Sequence, residues 1–154
     1  FDPNIRLKLW DAATARRHIL PLLAQVDMVF PGLDEARLLL GEGEPEALLD
    51  RLLSLGPRVV ALKLGAQGAL AGNGTTRCVA TPPAVTVIDP VGAGDAFDAA
   101  FLFGTLRGLS LGEQLRLAVA AGTITTTIPG DYEGLASYQE LVTFAQGVQV
   151  REGI

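Results

Sequence analysis

The sequence has little cysteine, little histidine and fewer bases than acids. Its single cysteine, Cys78, excludes an intrachain disulfide, and because there is also only one histidine, the usual zinc clusters are excluded. Twelve lysines and arginines against seventeen acidic residues leave a net charge of −5, which provides no positive field for a polyphosphate backbone. We therefore expect no nucleic-acid partner, and the isolated cysteine favours a reducing, cytoplasmic location.

Long uninterrupted apolar runs are also missing, although the chain is apolar overall. Asp98 interrupts the stretch from Val91 to Leu106, so we expect no membrane-spanning segment. An apolar fraction of 49% and a charged fraction of 19% in 154 residues predict one compact, well-buried domain. The chain starts at Phe1 without a secretory pattern, which we interpret as the cut edge of a larger protein.

Short β-like runs alternate with longer helical patterns, which predicts an α/β layered fold. Asp11 is suited to cap a helix that reaches Ala24, and Pro45 suits the first position of a helix that ends before Gly56. The other predicted helices cover residues 33–40, 95–106, 111–126 and 137–149. The predicted strands cover residues 26–30, 59–64 and 85–88, together with a hairpin of residues 69–72 and 76–80.

The most informative segment is Asp89-Pro90-Val91-Gly92-Ala93-Gly94-Asp95-Ala96-Phe97, which joins a predicted strand to a helix. Its glycines allow backbone N–H groups to converge, and with the helix dipole these groups form an anion site. Asp95 would repel a phosphoryl group at that site unless it serves as the base for a hydroxyl proton. The alternative is a plain tight turn in which Asp95 caps the helix. The P-loop pattern Gly-x-x-x-x-Gly-Lys-Ser/Thr is absent from the sequence. The dinucleotide-binding pattern does not match either, because Phe97 replaces its third glycine.

This segment resembles the C-terminal signature of the ribokinase-like (PfkB) family of carbohydrate kinases, which has Gly-Ala-Gly-Asp at its centre. The other segments that match, in the family's order, are residues 2–6, 35–36, 63–69 and 130–134. Together they extend the resemblance over essentially all of the chain. The family implies a three-layer α/β/α sandwich, of which this chain is the C-terminal portion of the core without the N-terminal strands and lid. Residues 1–154 are then the ATP-binding and catalytic part of a single domain.

The resemblance implies ATP-dependent phosphorylation of a small sugar or sugar acid. Asp95 would take the proton of the sugar hydroxyl, and the backbone of Gly92, Ala93 and Gly94 would bind the transferred phosphoryl group together with Asp95. The residues that match the family's nucleotide-binding turn are Lys63, Leu64, Gly65, Ala66, Gln67 and Gly68. The alternative for that turn is a strand end that enters a hairpin.

Within the family, the segments around residues 2–10 and 130–134 are most similar to kinases of 2-keto-3-deoxygluconate, which form its 6-phosphate. Arg6 and Asp131 match positions that contact the acid sugar in that subgroup. A guanidinium suits this task because it donates two parallel hydrogen bonds to a carboxylate. The alternatives are a solvated arginine beside Lys8 and an aspartate in a turn after Gly130.

Metal binding is the part of the resemblance that this sequence matches least well. Glu35 matches a glutamate that organises Mg²⁺ and phosphate through water, but Gly32 stands where the family has asparagine. Glu35 is otherwise a solvated helix residue. Asp89 matches a position associated with monovalent cations in some members, and it is also a frequent turn former before proline.

The family comparison also implies a partner for this chain. Family members are about twice as long, so we expect the N-terminal half of the same enzyme, a homo-oligomer when intact, and no activity from residues 1–154 alone. Apolar surface meant for that half should be exposed. Two alternatives to 2-keto-3-deoxygluconate kinase stay open. One is fructokinase or ribokinase specificity, and the other is a truncated, non-catalytic nucleotide-binding or dimerisation module.

Overall fold

A computed structural model describes residues 1–130 and 132–153. The chain divides into two compact units. The first consists of Phe1–Gly65 and Leu70–Arg77, and the second of Ala66–Ala69 and the chain from Cys78 onward. Each unit contains helices and at least part of a β-sheet, as the alternating sequence pattern predicts.

The helices of the first unit are α1 (Ala12–Leu23), α2 (Leu33–Leu40) and α3 (Pro45–Ser54). Asp11 caps α1 as predicted, because its Oδ1 accepts a hydrogen bond from the N–H of Thr14 at 2.8 Å. Pro45 occupies the first turn of α3, where a missing N–H costs nothing. Sequence signals at helix starts therefore predicted these elements well.

The strands of the first unit are β1 (Met28–Val29), β2 (Val59–Lys63) and most of β3 (Ala69–Asn73). β1 is parallel to β2, with Met28 paired to Val59, and β3 is the next neighbour of β2. The centre of β2 is fully buried, which explains its continuous apolar sequence. The predicted turn after β3 is confirmed, since Asn73 N–H donates to Thr76 O at 3.0 Å.

The second unit contains most of β4 (Arg77–Thr81), followed by α4 (Ala93–Leu106), α5 (Leu111–Thr125), α6 (Tyr138–Ala145) and β5 (Gln149–Glu152). Helices α5 and α6 begin with reciprocal Ser–Glu capping boxes at Ser110 and Ser137. α5 packs closely on the start of α4: a Cβ at Gly122 would lie 3.0 Å from Ala93 O. Phe101 and Leu115 are fully buried in this unit.

The end of the chain departs from the prediction. The helix expected over residues 137–149 ends at Ala145, and Gln149 begins β5, which pairs antiparallel with β4. Val79 pairs with Arg151 in this ladder. The helical pattern was misleading because β5 forms only by pairing with β4, which is distant in sequence. The residues near Gln149 give no signal of that pairing.

The strand predicted over residues 85–88 is also wrong. This segment has no strand conformation, and Val87 and Ile88 are exposed. The N–H groups of Ile88 and Asp89 both donate to Thr126 O, at 2.7 and 3.1 Å, at the end of α5. β-branched residues favour an extended backbone, but a strand also requires hydrogen bonds to a neighbouring strand. Here the N–H groups of Ile88 and Asp89 bond to Thr126 and not to a strand.

Apolar side chains are exposed on α4, as the sequence led us to expect. Its exposed large residues are Leu102, Phe103 and Leu106, the last with 86% of its surface accessible. What covers them in a larger assembly stays a prediction. Within residues 1–130 and 132–153, no helix combines the length and the apolar character that crossing a bilayer demands.

Candidate active site

The start of α4 contains a glycine with an unusual backbone conformation. Gly92 is the residue before the helix and has φ 77° and ψ −12°, in the left-handed region. A side chain in that region clashes with the following carbonyl, so glycine is the residue that adopts it at little cost. The turn from Pro90 into α4 therefore depends on the absence of a Cβ at Gly92.

The first turn of α4 supplies backbone donors for an anion. The N–H of Ala93 donates to Pro90 O at 3.3 Å, and the N–H of Ala96 makes the first helical bond, to Gly92 O at 2.9 Å. Between them, helix geometry leaves the N–H groups of Gly94 and Asp95 without an intrahelical acceptor. These two donors lie at the positive end of the helix dipole, which suits a phosphoryl group.

The carboxylate of Asp95 lies in this first turn and is exposed. An accessible carboxylate is able to accept a proton from a hydroxyl group brought to the same place. The structure thus combines anion donors and a candidate base within one helical turn.

Asp89 stabilises the turn that precedes α4 through two hydrogen bonds. Its Oδ1 accepts a hydrogen bond from Val91 N–H at 3.0 Å, and its Oδ2 accepts one from Gly130 N–H at 3.2 Å. These two backbone donors, Val91 first and Gly130 second, lower the pKa of the Asp89 carboxyl below its ordinary value. Asp89 therefore joins the turn to the loop at Gly130. Asp131, the predicted substrate contact, lies outside the described residues.

The predicted nucleotide-binding turn contains a short 3₁₀ helix, Gly65–Gln67. Gly65 and Gly68 both have left-handed backbones, with φ of 59° and 96°. A Cβ at Gly68 would lie 2.0 Å from Ala80 O, so the backbone there passes too close for any side chain. Gly65, Ala66 and Gln67 are exposed, while Lys63 and Leu64 are half-buried at the end of β2.

In the first unit, Arg6 follows a segment that is held at several points. Lys63 Nζ lies 2.8 Å from Asp2 Oδ2, in an ion pair whose side chains are 18% and 25% exposed. Asp2 Oδ1 also accepts the N–H of Asn4 at 3.0 Å. Arg6 itself is exposed. The ion pair joins residues 61 positions apart, a separation at which no sequence motif predicts pairing.

Glu35 has two backbone partners. Its Oε1 accepts a hydrogen bond from Ile5 N–H at 2.6 Å, and its Oε2 accepts one from Gly32 N–H at 2.8 Å. The second contact is a capping bond at the start of α2 and could be anticipated from the Gly-x-x-Glu spacing. The contact with Ile5 could not be anticipated, because nothing in the sequence links residues 5 and 35.

Mg-ATP is the substrate that the family resemblance implies, and the donor set fits its phosphates better than it fits a resident metal. The N–H groups at the start of α4 are anion donors. Among the residues described, no three His, Cys, Asp or Glu side chains lie together as a metal site. Mg²⁺ generally keeps several waters and binds through substrate phosphates with one or two carboxylates. Glu35 has a carboxylate that the family resemblance relates to Mg²⁺, and both of its oxygens already accept backbone N–H groups.

Comparison with known proteins defines the fold and the family of this chain. The fold is ribokinase-like α/β: an Escherichia coli protein described as a ribokinase II, solved with ATP and Mg²⁺, superposes with a TM-score of 0.85 at 32% identity. The match covers 95% of this chain and 47% of that one. The model of the pfkB family of carbohydrate kinases matches residues 1–137. The chain belongs to that family.

The curated relatives include two 2-dehydro-3-deoxygluconokinases. The Bacillus subtilis (strain 168) protein is 40% identical over 146 residues, which cover 94% of this chain and 45% of the relative. The Thermoproteus tenax protein is 39% identical over 142 residues, which cover 91% and 44%. This chain therefore spans less than half the length of these relatives.

Proposed function

We propose that the protein is an ATP-dependent carbohydrate kinase, with residues 1–154 as its ATP-binding and catalytic part. The observation that carries this proposal is the start of α4. There a left-handed Gly92 precedes two helical N–H donors and the exposed carboxylate of Asp95. Anion donors and a base in one turn are the two groups that transfer of a phosphoryl group to an alcohol requires.

In the proposed reaction, Asp95 accepts the proton of the substrate hydroxyl as its oxygen attacks the γ-phosphorus of ATP. The new O–P bond forms as the bond to the β-phosphate oxygen breaks, and ADP leaves. Charge on the transferred group is stabilised by the N–H groups of Gly94 and Asp95 and by the helix dipole. Positioning and electrostatics supply most of the catalysis in such a transfer.

The proposed nucleotide contacts come from the turn at residues 63–68. Gly65 has a left-handed backbone, and a Cβ there would meet nothing within 4 Å, so a ligand is able to approach the backbone closely at this residue. Gly65 and the two residues after it are exposed. An exposed turn with an accessible backbone suits a nucleotide, and the anion donors of α4 suit its phosphates.

For the acceptor, we propose 2-keto-3-deoxygluconate. Arg6 is exposed, and its guanidinium is able to bind the sugar carboxylate with two parallel hydrogen bonds. Asp131 is proposed as a second contact, to a sugar hydroxyl. The relatives named 2-dehydro-3-deoxygluconokinase support this choice, since their name denotes the same acid sugar.

The test compares acid and neutral sugars in the intact enzyme. Arg6→Ala should raise KM for 2-keto-3-deoxygluconate about tenfold or more, because a charge-assisted hydrogen bond contributes roughly 1.5–3 kcal/mol. KM for fructose or ribose should change little. Lys8→Ala, which removes an exposed basic side chain two residues away, is the matched control. The measurement is the initial rate of ATP-dependent phosphorylation.

The same assay separates the alternatives. Equal changes for acid and neutral sugars in Arg6→Ala would contradict the acid-sugar assignment and favour fructokinase or ribokinase specificity. Absence of transfer to any of the three sugars, with ATP binding retained, would favour a non-catalytic nucleotide-binding module.

A further inference from the structure

Glu35 and Lys63 contact the two ends of the short segment that precedes Arg6. The carboxylate of Glu35 accepts the N–H of Ile5, and the ammonium of Lys63 pairs with Asp2. Two long-range contacts thus hold a short irregular segment at both of its ends. We call residues 2–5 the anchored segment.

The two anchors are themselves connected through the first unit. The N–H of Lys63 donates to Pro31 O at 2.8 Å, and Gly32 forms a parallel bridge with Lys63. Gly32 in turn donates its N–H to Glu35. The contacts therefore form a closed ring, from Asp2 through Lys63 and Gly32 to Glu35 and back to Ile5.

The anchored segment has little freedom inside this ring. Asn4 has φ 42°, a left-handed conformation that is uncommon for a residue with a side chain, and Asp2 accepts its N–H. The side chain of Ile5 packs on the buried cluster formed by Ala15, Ile19 and Leu39. Successive Cα atoms are about 3.8 Å apart across a trans peptide, so fixing Ile5 fixes the backbone origin of Arg6.

We propose that Glu35 is a positioning residue for Arg6, with the Asp2–Lys63 ion pair as the second anchor. This inference rests on the proposed function, in which Arg6 binds the acid group of the sugar. Glu35 acts through the Ile5 amide, and the ammonium of Lys63 acts through Asp2. Arg6 is exposed and would otherwise sample many orientations, so a fixed backbone reduces the entropy lost when its guanidinium binds a carboxylate.

A carboxylate is required here because it accepts two N–H groups at once. Glutamine has the same shape but one of its two polar atoms is an amide nitrogen, which donates. In Glu35→Gln, either Ile5 N–H or Gly32 N–H therefore faces a donor, and the ring opens at one of these contacts. Asp34→Asn is the matched control, since it changes an exposed carboxylate in the first turn of the same helix.

The kinetic test uses the intact enzyme and a double-mutant cycle with Arg6→Ala. Glu35→Gln should raise KM for 2-keto-3-deoxygluconate about tenfold, as expected for loss of a hydrogen bond to a charged group. KM for a neutral sugar should change less than twofold, as should every constant in Asp34→Asn. In the Arg6→Ala background, Glu35→Gln should have no further effect on the acid sugar.

The proposal is overturned if Glu35→Gln affects acid and neutral sugars equally, if its effect persists in the Arg6→Ala background, or if KM for the acid sugar is unchanged. A KM that is raised for Mg-ATP alone would instead assign Glu35 to the metal.

Amide hydrogen exchange provides a readout that does not depend on catalysis. The N–H of Ile5 or that of Gly32 should exchange about tenfold faster in Glu35→Gln than in the parent or in Asp34→Asn, because one of the two contacts with Glu35 is lost. Unchanged exchange at both amides would overturn the anchor itself. If the anchor is present by exchange but the enzyme phosphorylates no sugar, it is the proposed function that has failed.

Discussion

The two compact units hold their candidate functional residues in different ways. In the second unit, the start of α4 is shaped by the backbone: a left-handed Gly92 and the donors of the first helical turn. In the first unit, Arg6 depends on side chains, since Glu35 and Lys63 hold the anchored segment from outside. One region relies on the absence of a Cβ and the other on the presence of specific carboxylates.

This difference predicts how each region responds to substitution. A site made of backbone groups tolerates exchange of many neighbouring side chains but not the addition of a Cβ at its left-handed residue. A site held by side chains loses its geometry when one acceptor is removed, even if the backbone conformation is untouched. Substitutions at Gly92, Gly108 and Asp89 test the second unit, and Glu35→Gln tests the first.

The largest effect on the backbone-built region is expected from Gly92→Ala. The added Cβ should cost about 1–2 kcal/mol in the left-handed conformation. It should also lower kcat about 10²-fold, because small displacements of a catalytic group have effects of that size. The measurements are steady-state kinetics and the free energy of unfolding of the intact enzyme.

Gly108→Ala is a control just beyond the other end of the same helix. Gly108 follows the other end of α4 with φ 68°, and a Cβ there would meet nothing within 4 Å. It should lose similar stability but keep its kcat. If the two variants lose activity equally, the effect of Gly92→Ala is general destabilisation, and the contrast between the two regions is lost.

A smaller effect is expected from the acid titration of Asp89. Its hydrogen bonds from Val91 and Gly130 lower its pKa in the folded state below the ordinary 3.8, so the ionised form stabilises the fold. That contribution is complete above pH 3.8 and is lost as the pH falls through the lowered pKa. The difference in unfolding free energy between the parent and Asp89→Asn should therefore shrink as the pH falls below 3.8. A difference that stays constant on acidification would contradict this role.

Local sequence signals predicted local structure well. Asp11 and Pro45 mark helix starts because caps and first-turn prolines act within a few residues. The glycine signature predicted a turn before a helix for the same reason, and the structure adds the left-handed conformation of Gly92. Such features depend on residues only a few positions apart, so a short stretch of sequence is enough to predict them.

Contacts between distant residues were not predictable in this way. β5 was mistaken for the end of a helix, and residues 85–88 for a strand, because both depend on whether a ladder partner is present. The bond from Ile5 to Glu35 and the pair of Asp2 with Lys63 likewise join segments that only the fold brings together. The glycine signature could be read from the sequence, whereas the support of Arg6 required the structure.

The most direct test of the proposed phosphoryl transfer is the kcat of Asp95→Asn in the intact enzyme. Asparagine keeps the shape of the side chain but is unable to take the hydroxyl proton, so kcat should fall about 10²- to 10⁴-fold. Asp34→Asn, the same change at another exposed first-turn carboxylate, should leave kcat unchanged. A near-normal kcat in Asp95→Asn would contradict the assignment of Asp95 as the base.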